Sequence, residues 1–480
     1  MVPAYLPLVD FPQHVALHAI WDNIGDPAYS LNGRFLVTLA TPYALPHLIA
    51  HLASLVFGPE GGLRFALALS LAAFPLGALV LLRAFGRPAE LALAAAPAAL
   101  SFVYWYGFTS YVMALPLILV GIGCARRCAV TGRIRELVVL AVVGLVAVAT
   151  HGFAFLVLLL LGGVAALATT RSIARLAATA AALVPGIAWS VVWALSFASG
   201  PHPEPIPTEY GFVRDRLRFG LATLFGTHSL ELRVLCVAGA LAIVFALALW
   251  TARSNPHRDE PGRRALAAVA LAGISASLLC PEVLMNTWGL WERIPPVAFV
   301  ALAGAVRWPS REGVRFRLSA ALCAVALLAA GGAIAQGLAF SAQARGIREL
   351  ALDVPRGSRI FWSACGDEFP APRGTPAYKH FGAYVQAARG GDLSYSFAHF
   401  PHMVVRYRGA PLPETFDRSI YDYAVLRLGQ RCPTLEDLRK IGPLSVRGAY
   451  VALPASAVTP ELAAALAPEH PRVISTAERR

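Results

Sequence analysis

Apolar runs of roughly 15 to 23 residues recur from Leu63 to Phe340, each long enough for an α-helix to cross a bilayer core of about 30 Å. No single water-soluble core buries that many uninterrupted apolar segments. Composition agrees: 57% of the 480 residues are hydrophobic, 14% are charged and the mean hydropathy is +0.59. Disorder and a cytosolic enzyme are excluded. The fold class read from this pattern is mainly α, a polytopic transmembrane helical bundle with a small C-terminal α/β or α+β soluble domain.

Breaks at Arg, Pro and Gly clusters give about ten crossings, beginning near Phe65, Leu91, Ser110, Leu137, Phe153, Ala177, Val234, Ala265, Ile294 and Leu318. Their loops alternate in charge. One set, Arg83–Glu90, Ala125–Glu136, Arg171–Arg175, Thr251–Arg264 and Arg307–Arg317, holds 16 basic and 5 acidic residues. The other set, with everything before Phe65, holds 7 basic and 10 acidic residues. The positive-inside rule makes the first set cytoplasmic. The net charge of +13 thus reflects membrane orientation, and nucleic acid is not an expected partner.

Three segments follow: an outer-face stretch 1–64 with two juxtamembrane helices, a transmembrane domain 65–340, and an extracytoplasmic soluble domain 341–480. Parity places both ends of the chain outside, which implies a first transmembrane helix upstream of Met1. Phe11–Ile24 and Pro42–Phe57 are apolar but interrupted by Pro12, Pro46, His47 and His51, and read as helices lying at the outer interface, one face in lipid. In the tail, Arg359–Trp362, Tyr423–Arg427 and Ala449–Leu453 read as strands and Thr434–Ile441 as a helix. Cys365 and Cys432 are the only cysteines of the tail and each follows a predicted strand. An oxidising compartment would allow them to form a disulfide, the alternative being two unpaired buried thiols.

Ionisable residues near membrane depth are functional candidates by default. Asp10, His14, His18 and Asp22 are spaced four apart, on one stripe of a helix, and His47 and His51 repeat that spacing. Such a stripe suits a divalent metal held by His14 and His18, or simply the wet face of an interfacial helix with Asp10 as its N-cap. His151 interrupts an apolar stretch at Thr150-His151-Gly152, where it is either a hydrated turn residue or a donor to a phosphate. Two aromatic-rich outer turns surround Tyr106 and Trp288. Both suit an interfacial belt. In the second, Glu292 and Arg293 stand just before Pro295-Pro296, where an arginine is suited to clamp a lipid phosphate. The chain has no Walker loop, dinucleotide glycine pattern or nucleophile elbow.

Leu8-Val9-Asp10-Phe11, the segment from Thr41-Pro42-Tyr43 to Phe57-Gly58, Leu63-Arg64-Phe65 and Thr150-His151-Gly152-Phe153 together resemble the C-type membrane glycosyltransferases. Within that family the likeness is to lipid A aminoarabinose transferases and protein O-mannosyltransferases. In order, the motifs match the acidic site of the first outer loop, the second juxtamembrane helix, an arginine-marked span start and a Thr-Lys-Gly-type turn. The sequence departs in having Phe11 after Asp10 and His151 in place of the lysine.

The resemblance implies transfer of a sugar from a polyprenyl-phosphate donor to an envelope acceptor on the outer face of the inner (cytoplasmic) membrane. Asp10 would then be the base, and His151, Arg64 and Arg293 the phosphate-side groups, a structural part being the alternative for Arg64, with Glu292 and Tyr106 lining the substrate. A lipid or polysaccharide flippase, or a non-catalytic envelope scaffold, are the competing classes. The polar residues gather at the outer edge instead of the midplane expected of a transporter.

Overall fold

The computed structural model describes residues 3–198, 208–226, 232–252, 261–284, 287–364, 376–429 and 433–466. It is mainly helical. Among the described residues, six helices are long and apolar enough to cross a membrane: Ala44–Ala84, Thr109–Thr131, Ile173–Ser196, Leu232–Ala252, Pro261–Leu279 and Glu312–Asp353. Three more of the expected crossings form continuous but shorter helices, Ile134–Thr150, Gly152–Leu167 and Pro295–Ala305. The last has 11 residues, about 16 Å at 1.5 Å per residue, which is half a bilayer core.

The crossing expected from Leu91 is not a spanning helix. It breaks into a 3-10 turn, Ala89–Ala94, and two four-residue helices, Ala95–Ala98 and Phe102–Trp105. Pro88 and Pro97 each remove a backbone donor, and the aromatic run that follows favours a compact turn over a regular helix. Apolarity alone did not reveal this, because broken and continuous segments have the same composition.

The chain divides into two units, one of residues 66–333 and one joining 1–65 with 334–480. In the first, Thr109–Thr131 is largely buried and packs against Ile134–Thr150 and Gly152–Leu167. Small residues permit this closeness: a Cβ on Gly121 would run into the Leu158 side chain, and one on Gly262 into the Phe85 carbonyl. Leu76, Val142, Val192, Leu235, Leu271 and Leu327 remain exposed on their helices. That apolar outer surface is what a bilayer covers.

The second unit holds a five-stranded mixed sheet in the order Asp392–Leu393, Arg359–Ala364, Tyr423–Arg427, Tyr450–Pro454, Ser445–Arg447. The first two pairings are parallel and the last two antiparallel, with Phe361 opposite Ala424 and Val425 opposite Ala452. One face buries Phe361, Ala424, Leu426, Val451 and Leu453 together with Leu438 and Leu462 of the helices Leu435–Ile441 and Pro460–Leu466. The three expected strands and the helix expected over Thr434–Ile441 are present. The Thr434 side chain accepts from the Asp437 amide.

The N-terminal stretch belongs to this unit. Phe35–Val37 pairs antiparallel with Val405–Tyr407, and the helix Phe11–Asn23 packs on Ala383–Arg389. Leu17 and Ile20 join Leu31, Phe35, Phe397, Met403 and Val405 in one core. The interfacial reading of the first helix is therefore corrected: Phe11 to Ile20 are all buried in protein. Residues 397–405 and the helix Ala383–Arg389 cover it, so its polar residues as well as its apolar ones face protein.

The second expected juxtamembrane helix is the opening part of Ala44–Ala84, which breaks at Gly58 (φ 70, ψ 170). Only glycine takes that conformation without strain. Beyond the break Gly62 lies against the backbone of Ala50 and Ser54, where no Cβ fits.

Candidate functional site

In the unit 1–65 with 334–480, Asp10 stands at the N-cap position of Phe11–Asn23, and its carbonyl accepts from the His14 amide at 3.2 Å. Its carboxylate makes no capping hydrogen bond. It lies 3.6 Å from Nε2 of His380 instead, and both residues are buried. Tyr395 stacks on His380 with centroids 5.0 Å apart, and Phe397 meets the same ring edge-on. Gln13 fixes this segment by donating to the Tyr395 carbonyl and accepting from the Phe397 amide. Burial, with Lys379 and His14 nearby, holds His380 well below the usual imidazole range. The contact thus joins a carboxylate to a neutral ring and is not an ion pair.

His14 and His18 occupy the next two turns, and neither joins a metal-ligand set. Among the described residues no group of three or more His, Cys, Asp or Glu side chains is placed to hold a metal ion. His18 Nε2 and His47 Nδ1 are hydrogen-bonded at 3.1 Å, and His14 tilts against His47 with centroids 5.6 Å apart. Other nitrogens of this group, His14 Nδ1, His18 Nδ1 and His47 Nε2, are buried with no hydrogen-bond partner among the described residues. Farther along, Asp22 Oδ1 bonds His51 Nδ1 at 2.6 Å while Ser54 donates to Oδ2.

Arg64 makes the bonds of a structural residue, the alternative its sequence position left open. Its guanidinium donates to Glu60 and to the carbonyls of Pro3 and Ala4, and Glu60 also pairs with Arg348. These bonds pin the first residues of the chain to the span start, so Arg64 acts as a brace, and a phosphate-binding part is not needed to explain it.

In the unit 66–333, His151 is the extended residue between Ile134–Thr150 and Gly152–Leu167 (φ −167, ψ 116), and is buried. Arg293 Nη1 donates to His151 Nε2 at 2.9 Å. Guanidinium nitrogens only donate, so Nε2 is the accepting nitrogen and the imidazole is the neutral Nδ1–H form. Arg293 also donates to the carbonyls of Gly289 and Trp288, lies 4.2 Å over the Phe108 ring, and its own carbonyl accepts from Tyr111. Gly289 takes φ +71 with the Phe108 ring where a side chain would go, which lets the loop carry Arg293 inward. Glu292 is fully buried in the same 3-10 turn.

Tyr106 belongs to an aromatic group with Phe102, Phe108 and Trp288, its ring 4.7 Å from that of Trp288. Sequence reasoning named His151, Arg293 and Tyr106 but missed Tyr111 and Phe108 as the groups that hold Arg293. It also missed His380, which no spacing links to Asp10. Cys365 and Cys432 lie outside the described residues.

No family model matches the sequence, and no curated protein matches it. Two crystal structures of ArnT from Cupriavidus metallidurans, one bound to undecaprenyl phosphate and one in the apo state, are similar over 94% of this chain and 95% of theirs. Both superpose with a TM-score of 0.52, at 13% and 14% identity. The chain shares the fold of ArnT. The likeness to C-type glycosyltransferases first seen in short motifs thus extends along nearly the whole chain as architecture, that of a multi-pass membrane protein. At this identity ArnT lends a fold, and roles for individual side chains rest on the geometry above.

Proposed function

We propose that the chain is a membrane glycosyltransferase that moves a sugar from a polyprenyl phosphate to an envelope acceptor at the outer face of the inner membrane. The observation that carries this reading is the state of Asp10: a buried carboxylate at a helix start that leaves the cap unmade and meets a neutral imidazole. The ArnT fold, in a structure bound to undecaprenyl phosphate, supports a lipid-linked donor.

In this account Asp10 takes the proton of an acceptor hydroxyl as its oxygen attacks the anomeric carbon. The bond from that carbon to the phosphate oxygen breaks, and its electron pair leaves with the polyprenyl phosphate. Within the unit 66–333, Arg293, held by His151 and Tyr111, is a fixed positive charge of the kind that binds a lipid phosphate. Tyr106 and Glu292 line the substrate beside it. The soluble domain, 341–480, is extracytoplasmic, with residues 1–64 on the same side.

The test is envelope glycolipid profiling of a deletion strain carrying the wild-type gene, Asp10→Asn or nothing. One sugar-modified component is expected to vanish in the deletion, return with wild type and stay absent with Asp10→Asn. Its return with Asp10→Asn, at wild-type protein level, would remove the enzymatic reading in favour of a scaffold.

A further inference from the structure

Each glycosyl transfer leaves one proton on a buried carboxyl group that must be emptied before the next turnover. Asp10 begins a file of imidazoles that ends at partly exposed side chains. After His380 come His14, whose ring also meets Phe397 edge-on, then His47, then His18 through the 3.1 Å Nδ1–Nε2 bond. The Trp21 ring is nearly parallel to His18 at 6.5 Å and stacks on His51 at 4.3 Å. His51 is bonded to Asp22, and the two side chains are 23% and 19% exposed. All these residues belong to the unit 1–65 with 334–480.

Three nitrogens of the file, His14 Nδ1, His18 Nδ1 and His47 Nε2, are buried without a hydrogen-bond partner among the described residues. A purely structural ring so placed leaves a desolvated polar group unmet, and an apolar side chain would fill the space without that penalty. A ring that receives a proton at one nitrogen and releases it from the other needs both nitrogens open to partners.

We propose that this histidine file is a proton path that carries the proton of each turnover from Asp10 through His380, His14, His47 and His18 to His51 and Asp22. The proposal rests on the reading of Asp10 as the base. The acceptor O–H bond breaks and the proton joins the Asp10 carboxylate. Asp10 then gives a proton to His380 Nε2, each ring in turn accepts at one nitrogen and donates from the other, with bridging waters where rings do not touch, and His51 releases one proton to solvent. No charge accumulates, and every ring returns to its neutral form.

The surroundings suit neutral relays. Burial holds His14 and His18 well below the usual imidazole range, and their ionisable neighbours act in the same direction: His47 and His402 on His14; His47, His14 and His51 on His18. His380 is faced by Lys379, His14 and Asp10.

The test uses the full chain in lipid nanodiscs with radiolabelled undecaprenyl-phosphate pentoses and hexoses as probes. With His47→Phe or His18→Phe, turnover is expected to fall about tenfold, with KM for the donor unchanged and a larger solvent deuterium isotope effect than wild type. Added imidazole should restore part of the rate in His47→Gly. Wild-type turnover and an unchanged isotope effect in both Phe variants would overturn the path. If those variants fail to fold, NMR of wild-type chain labelled with [15N]histidine decides: ring N–H exchange slower than turnover overturns the relay, and faster exchange supports it. A wild-type chain that transfers no sugar from any probe, and is unaffected by Asp10→Asn, sinks the glycosyl-transfer reading, and the path as stated falls with it.

Discussion

Arg293 donates to His151 across 2.9 Å, and both side chains are buried at the junctions of apolar helices. The pair ties the turn Trp291–Arg293 to the break between Ile134–Thr150 and Gly152–Leu167. A guanidinium held by a neutral imidazole, two carbonyls and an aromatic face cannot swing away. Its charge is preorganised, as phosphate departure requires.

Replacing that group with lysine should therefore not be conservative. Lysine lacks the planar fork that reaches His151 and the Gly289 and Trp288 carbonyls together. Arg293→Lys is expected to lower kcat/KM for sugar transfer about 100-fold, within the range for losing one preorganised donor. His151→Gln, which keeps an acceptor for Arg293, should retain more activity and a higher Tm than His151→Leu.

Gly289 supports the same loop by its backbone. An alanine there would hold φ +71 with its Cβ 3.0 Å from the Phe108 ring. Gly289→Ala should destabilise the chain by more than about 1 kcal/mol, and its donor affinity should fall in parallel with Arg293→Ala. Thermal unfolding in detergent and undecaprenyl phosphate binding check the two effects.

Gln13 bridges the helix Phe11–Asn23 to the Tyr395–Phe397 segment from a buried position. Gln13→Leu leaves a buried carbonyl and a buried amide without their partner, at a cost of about 1–3 kcal/mol each. A lowered Tm, together with faster amide exchange around Phe397, is the expected result.

The buried histidines set an acid limit. His14, His18 and His380 have folded-state values below the ordinary 6.5, because burial disfavours the cation. Once the pH drops below about 6.5 the unfolded chain binds protons that the folded chain refuses. Their contribution is thus complete above that value and declines as the medium is acidified toward the folded-state values. Tm measured from neutral to pH 5 should fall, and His18→Phe should fall less steeply.

Much of the architecture was legible because a membrane-crossing helix announces itself by composition, as Thr109–Thr131 and Leu232–Ala252 do. The strands Arg359–Ala364 and Tyr423–Arg427 were legible from alternation and turn residues. Burial by a distant segment was not. Phe11–Asn23 has the composition of an interfacial helix, and only the return of residues 395–405 to cover it shows otherwise. The partner of Asp10 was hidden for the same reason, since His380 lies 370 positions away in a turn without periodicity. Arg64 was visible as a span marker, but its bonds to Pro3 and Ala4 depend on how the N-terminal segment folds back.

The central claim is that the Asp10 carboxylate is the base of a glycosyl transfer. It is tested most directly by the initial rate of sugar transfer from labelled polyprenyl-phosphate sugars by the purified full chain and by Asp10→Asn, with folding of the variant checked by its Tm. The account predicts transfer by the wild type and a loss of at least about 100-fold in Asp10→Asn, while binding of undecaprenyl phosphate is retained. An Asp10→Asn chain that transfers sugar at the wild-type rate would contradict it.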